Sequence, residues 1–159
     1  MPVSSADFRS AMSRFASGVT VVTTKDESGK QFGITVSAFC SVSLEPPLVL
    51  ICIEKIAGSH HAFEQSGRFT INILSSNEAG VSEHFASLID DKFAGIEFAV
   101  DEHGIPILPG SIATLQCVLF KTLDGGDHSI FIGQVEHVIV RDADPLIYFR
   151  GGYSSLMSS

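Results

Sequence analysis

Apolar and polar positions follow two different periods along this chain, and the switches between them mark its elements. Phe8, Met12 and Phe15 recur at helical spacing. Ser4 and Ser5 offer an N-cap, Asp7 sits in the first turn and Gly18 is a stop, so the pattern predicts a short amphipathic helix over 5–17. From Gly18 the period changes. Val19-Thr20-Val21-Val22-Thr23-Thr24 is β-branched throughout and reads as a strand. The polar run Lys25 to Lys30 turns it, and Phe32 to Phe39 is the return strand of a hairpin. Pro46-Pro47 interrupts the chain, because neither residue can donate to a ladder. The continuous apolar run Leu48-Val49-Leu50-Ile51-Cys52-Ile53 then predicts a strand buried on both faces.

Further along, Ser59 to Gln65 caps and begins a short helix that Gly67 ends, and Phe69 to Leu74 is another strand. Ser76 to Ser87 is helical in pattern, with Ser76 as N-cap, Glu78 early, and Val81 and Phe85 at i, i+4. Residues 90–110 are loop-like around Gly95, Gly104, Pro106 and Pro109, with a short strand near 98–100. Ile112 to Leu123 and His128 to Val140 form the longest hairpin, turned by Asp124-Gly125-Gly126-Asp127, and Leu146 to Phe149 is a last short strand. The tally is six or seven strands and two or three short helices, without the βαβα alternation of a Rossmann sheet. Neither G-x-G-x-x-G nor a P-loop occurs. Long antiparallel strands with bending glycines predict a barrel. No repeat or composition shift divides the chain, so residues 1–159 are read as one domain.

Composition narrows the function classes. Apolar residues make up 45% of the 159 and charged residues 18%, a globular balance. The net charge is −8 and no basic cluster occurs, which argues against nucleic-acid binding. No apolar run approaches the ~18 residues of a membrane helix. Met1-Pro2-Val3-Ser4 shows no basic stretch followed by an apolar one, so we expect no signal peptide and a cytoplasmic location. Cys40, Cys52 and Cys117 form no CxxC and no zinc spacing with His, so we expect reduced thiols and no metal site. The positive mean hydropathy points to apolar surface buried in an oligomer.

Three places carry candidate chemistry. Thr35 to Ser43 holds four hydroxyls where a strand gives way to a loop. Such small side chains and the nearby backbone N–H groups suit an anion or a flat heteroaromatic ring. An ordinary barrel strand with outward Ser and Thr also accounts for them, and composition by itself favours that. Gly126-Asp127-His128 at a hairpin tip can act as a general acid, contact a phosphate or simply cap a turn. His60 and His61 are adjacent, so they point apart and make a poor metal pair. No cysteine has a His neighbour that would activate it, and no G-x-S-x-G is present. Twelve Phe against two Tyr and no Trp furnish a core, and also stacking partners for a flat ligand. Residues alone thus reach an antiparallel barrel that binds a planar anionic ligand, and they do not reach a reaction.

Read in order, the segments resemble one family. They are Phe8-Arg9-x-Ala11-Met12-x-x-Phe15-Ala16-x-Gly18-Val19-Thr20-Val21-Val22-Thr23-Thr24, then Gly33-x-Thr35-x-Ser37-Ala38-Phe39-x-Ser41-Val42-Ser43-Leu44-x-Pro46-Pro47, Phe69-x-Ile71-Asn72-Ile73-Leu74, His84-Phe85-Ala86, Asp91-Lys92-Phe93-Ala94-Gly95, Gly126-Asp127-His128-x-Ile130-x-Ile132-Gly133-x-Val135, and Pro145-Leu146-x-Tyr148-x-x-Gly151-x-Tyr153. The pattern resembles the flavin reductase-like, FMN-binding split-barrel family over about residues 7–155. Within it, the chain is similar to the short-chain NAD(P)H:flavin oxidoreductases of two-component monooxygenases, such as the phenol and 4-hydroxyphenylacetate hydroxylase reductases.

The resemblance implies a mainly β fold: a six-stranded antiparallel Greek-key split barrel with two or three short helices, working as a homodimer with flavin near the subunit interface. It implies hydride transfer from NADH (or NADPH) to FMN or FAD, and a separate oxygenase that receives reduced flavin. Carried over by position, Thr35, Val36, Ser37, Ala38 and Ser41 line the isoalloxazine and ribityl chain, and the backbone of Cys52, Ile53 and Glu54 approaches the ring. Ser59, Phe85 and Lys92 lie toward the ribityl and phosphate end. His128 contacts the nicotinamide nucleotide, and Tyr153 helps to cover it. Two other roles share this barrel: a flavin-binding or electron-transfer protein without turnover, and a reductase of a ferric chelate or cobalt corrinoid through flavin.

Overall fold

The computed structural model describes residues 2–157; Met1, Ser158 and Ser159, the outermost residues of the expected 1–159 domain, lie outside the described residues. Helix α1 (Ser5–Met12) precedes strands β1 (Ser17–Gly18), β2 (Thr20–Lys25), β3 (Gln31–Val36), β4 (Phe39–Ser43) and β5 (Leu48–Glu54). Helix α2 (His60–Ser66), strand β6 (Arg68–Ile73) and helix α3 (Ala79–Ala86) follow. Short strands β7 (Ala99–Val100) and β8 (Pro106–Ile107) lead into the long hairpin of β9 (Ala113–Gly125) and β10 (His128–Val140), and β11 (Ile147–Phe149) and β12 (Gly152–Ser154) close the chain.

Seven strands pair antiparallel in the order β3-β2-β6-β9-β10-β5-β4. The edge strands β3 and β4 are consecutive in the chain, with only Ser37 and Ala38 between them. That corner wraps the sheet onto itself: the Cys52 N–H donates to the Ala38 carbonyl at 3.1 Å, and β3 also approaches β5. The strand expected over Phe32 to Phe39 is therefore two strands, because Ser37 and Ala38 leave the ladder to turn the corner. With β3 and β4 taken as one bent strand, the sheet is the expected six-stranded Greek-key barrel.

Strand β2 explains its own composition. Val22 points into the barrel with Ile51, Ile53, Phe63, Phe69, Ile71 and Phe131. Val19, just before the strand, and Val21 point outward into a second apolar cluster with Leu74, Phe85, Phe93, Leu108 and Leu146. A strand covered on both faces has no polar side, and its threonines must satisfy their hydroxyls internally. Thr20, Thr23 and Thr24 donate to the carbonyls of Val36, Pro106 and Arg68 at 2.6, 2.6 and 2.7 Å. Fully buried Asn72 on β6 does similar work: its Nδ2 donates to the Val21 carbonyl and its Oδ1 accepts from the Leu108 N–H, each at 3.0 Å. These bonds tie the loop of residues 90–110 to the sheet. The run over Leu48 to Ile53 is buried at Leu48, Val49, Ile51 and Ile53 and half-buried at Leu50 and Cys52.

Two helix ends differ from expectation. Ser4 does cap α1, its Oγ accepting from the Asp7 N–H at 3.1 Å, and Gly67 ends α2 in the left-handed conformation at φ +68°. But α1 stops at Met12, and no residue in it is buried; Phe15, beyond its end, is 75% exposed. The chain leaves the helix early because Ser17 and Gly18 pair with β11, and the Arg150 N–H donates to the Ser13 carbonyl. Glu78, not Ser76, stands at the N-cap of α3. Its carboxylate turns back to accept from the Ser75 N–H at 2.9 Å, while the Ser76 N–H donates to the Asp144 carbonyl.

The barrel interior leaves no spare volume at Gly133. A Cβ there would lie 2.6 Å from the Phe69 ring and 2.9 Å from the Cys117 Cβ. Gly133→Ala is expected to destabilise the fold by about 1–3 kcal/mol, the usual cost of overpacking. Asn72→Ala is expected to cost about 2–3 kcal/mol, because it strands the buried Leu108 N–H and Val21 carbonyl. Urea unfolding measures both; midpoints equal to that of the unsubstituted chain would refute these assignments.

Candidate functional site

The β3–β4 corner exposes Ser37, Ala38 and, along β4, Ser41. Val36 and Ile53 turn their side chains into the barrel core, so only their backbone is available at the corner. Thr35 is held from behind, its Oγ1 donating to the Ser82 carbonyl of α3 at 2.6 Å. Ser82 Oγ in turn lies 2.7 Å from the Tyr153 hydroxyl on β12. Helix α3 thus joins the corner to the C-terminal hairpin through one fully buried serine. The sequence reading missed Ser82. Its signal is position: it sits three residues before Phe85, on the same apolar face of the helix.

On the other side of the corner stands the end of β5. Glu54 is the register partner of His128, the first residue of β10. The turn before His128 is tighter than expected. Only Gly126 and Asp127 lie outside the strands, with Gly126 at φ +79°, the position where a two-residue hairpin favours glycine. His128 Nδ1 lies 2.6 Å from Asp127 Oδ1. That hydrogen bond and the imidazole's charge hold the Asp127 carboxyl below the usual carboxylate range. Lys55 pins the tip to the end of β5: its ammonium pairs with Asp124, and its N–H donates to the Asp127 carbonyl.

Beside these elements lies an open cavity of about 450 Å³, whose lining includes Gly33, Ile34, Glu54, Ser59, Ser87 and Lys92. Ser59 is 7% exposed, and its Oγ has no hydrogen-bond partner. The Thr70 and Ser111 hydroxyls are likewise buried without a partner. The helix that follows Ser59 is held in place, with His60 Nε2 2.8 Å from Ser129 Oγ. Lys92 is half-buried; its Nζ donates to the Phe85 carbonyl at 2.8 Å, and burial lowers its pKa. The Phe85 ring itself is a core group, fully buried against Phe93 and Gly33, where a Cβ would come within 2.6 Å of it. What Phe85 brings to the cavity is the carbonyl that holds Lys92, not a ring for a ligand to touch.

The structure therefore gathers Glu54, Ser59 and Lys92 at one cavity, couples Thr35 to Tyr153 through Ser82, and places Ala38 against Cys52 and Glu54 beside His128. Burial, reinforced by Cys40, raises the Cys52 thiol, and burial pushes Cys117 up to about 12. Neither is an activated thiolate. Among the described residues no group of three His, Cys, Asp or Glu side chains could hold a metal ion, and no helix is long and apolar enough to cross a membrane. Hydroxyl and ammonium groups at a cavity wall suit a phosphate-bearing ligand.

Comparison with known proteins agrees with this chemistry. Residues 12–157 match the family model described as "Flavin reductase like domain". The chain is 41% identical over 152 residues to "Flavin-dependent monooxygenase, reductase subunit HsaB" of Mycobacterium tuberculosis, covering 94% of this chain and 81% of that one. It is 39% identical over 147 residues to a "Flavin reductase" of Pseudomonas putida, covering 92% and 86% respectively. Among solved structures, it superposes with a TM-score of 0.91 on the Streptomyces globisporus NADH:FAD oxidoreductase SgcE6 in complex with NAD and FAD fragments. That match is at 31% identity and covers 99% of this chain and 97% of that one. The chain belongs to the flavin reductase-like domain family.

Proposed function

We propose that this chain transfers a hydride from NADH or NADPH to FMN or FAD and hands the reduced flavin to a separate oxygenase. The observation that carries this reading is the cavity lined by Ser59 and Lys92 at the Glu54 end of β5, the end that pairs with His128. Those two donors suit a flavin phosphate on a chain whose net charge is otherwise −8. The isoalloxazine and ribityl chain would lie along Thr35, Val36, Ser37, Ala38 and Ser41, with the backbone of Cys52, Ile53 and Glu54 against the ring. Phe85 contributes by anchoring Lys92.

Bound flavin supplies the redox chemistry as hydride acceptor; the chain's contribution is positioning. His128, oriented by Asp127, holds the nicotinamide nucleotide, and Tyr153, oriented by Ser82, covers it. The names of the M. tuberculosis and S. globisporus relatives support the oxygenase partner and the nucleotide. A homodimer accounts for the apolar side chains this chain leaves uncovered, Phe8, Phe15, Leu44 and Val140 among them. Three free cysteines fit a reducing cytoplasm.

The deciding experiment is NADH oxidation, followed by loss of its near-ultraviolet absorbance, with and without added FMN, FAD or riboflavin. Turnover that rises with added flavin is expected. A protein that binds flavin yet oxidises no NADH would overturn the reductase reading and leave a flavin-binding or electron-transfer role. His128→Ala is expected to raise KM for NADH roughly tenfold with little change in flavin Kd. Equal weakening of flavin binding would remove His128 from the nicotinamide side.

A further inference from the structure

The hairpin tip that presents His128 is rich in carboxylates. Asp124 and Asp127 belong to the tip itself, and Glu54 faces His128 across the β5–β10 ladder. All three are exposed. Lys55, the residue after β5, answers them. Its ammonium pairs with Asp124, and its backbone N–H donates to the Asp127 carbonyl at 2.9 Å. The Asp127 carboxyl is held low first by its hydrogen bond to His128 and by the imidazole's charge, and Lys55 adds to that effect. One ammonium thus acts on both acids of the tip.

Its contribution is charge more than rigidity. The bond to the Asp127 carbonyl uses the Lys55 backbone N–H, which any residue except proline supplies. The tight turn closes on Gly126, whose positive φ suits it. The Lys55–Asp124 side chains are 43% and 78% exposed, and exposed ion pairs add little to stability. Without the ammonium, however, Glu54, Asp124 and Asp127 would surround His128 with no fixed positive charge among them. A nicotinamide dinucleotide brings an anionic diphosphate to a chain whose net charge is already −8. Like charge at the place of contact slows encounter and weakens binding.

We infer that Lys55 is an electrostatic positioning residue for the nicotinamide nucleotide: it neutralises the hairpin tip so that an anionic coenzyme can settle on His128. Asp124 sets how much of that positive charge is left over, and the two side chains form a balanced pair. This rests on the placement of the nucleotide at His128 proposed above and deepens it.

Steady-state NADH oxidation by the full chain, with added flavin saturating, tests the inference. Lys55→Gln is expected to raise KM for NADH roughly two- to fourfold with kcat unchanged, the size of one exposed charge. Lys55→Arg, which keeps the charge, should restore KM. Asp124→Asn releases the ammonium and should lower KM roughly twofold. The double variant Lys55→Gln/Asp124→Asn is neutral at the pair again, so its KM should return to that of the unsubstituted chain. In about 1 M salt, where charges are screened within about 3 Å, these differences should close. A double variant as poor as Lys55→Gln alone would make the pair a mechanical brace and overturn the inference. So would a KM that neither single substitution moves. If His128→Ala raises KM while the charge variants do not, only the role of Lys55 falls; if His128→Ala leaves KM unchanged as well, the placement of the nucleotide falls with it.

Discussion

Phe63, Phe69 and Phe131 fill the barrel so closely that position 133 on β10 must be a glycine, since a single methyl there would strike the Phe69 ring and the Cys117 side chain. A barrel of this size encloses side chains and little else. A three-ring ligand therefore has to lie outside, against whatever backbone the sheet leaves uncovered. At the corner of Ser37 and Ala38, β3 drops out of the ladder and hands over to β4 without a hairpin. The packing of the interior thus leaves only the outside of the barrel open to a ligand.

The outer face of β2 anchors the helix that serves the rim. Val19 and Val21 reach outward to an apolar cluster that includes Phe85 of α3 and Phe93 of the following loop. Gly33 lets β3 press directly on the Phe85 ring. Helix α3 is in this way clamped to the sheet, and it can then hold three groups at the rim. Its Ser82 carbonyl takes Thr35, its Ser82 hydroxyl meets Tyr153, and its Phe85 carbonyl takes Lys92. Core packing and site geometry are the same set of contacts seen from two sides.

No side chain at this site is prepared for covalent work. The Cys52 and Cys117 thiols are pushed away from ionisation, and His128 is engaged with an exposed aspartate at a hairpin tip. What the site offers is oriented donors, an uncovered strand corner and a cavity with apolar and cationic walls. That inventory fits a protein whose cofactor carries the reaction and whose own task is to hold two flat molecules in register.

The sequence by itself determined the long strands and their order along the chain, but not β4, whose residues it read as the loop after a strand, nor the short β1, β8 and β12. The β-branched run at Val19 to Thr24, the apolar run at Leu48 to Ile53 and the paired runs around Gly126 are local patterns, and local patterns record how a segment is buried. Motifs from Phe8 to Tyr153 in one order were enough to indicate the family and the barrel. Only the tertiary structure decided which faces meet. It left the apolar side of α1 uncovered in this chain, moved the α3 cap from Ser76 to Glu78, broke the Phe32 to Phe39 strand at Ser37, and turned the Phe85 ring into the core. It also produced Ser82 as the link between Thr35 and Tyr153, residues 118 positions apart by number (153 − 35), and the cavity between three distant segments. The physical reason is that periodicity reports whether a side chain is buried, whereas a site depends on what it is buried against, and that partner is supplied by chain far away in sequence.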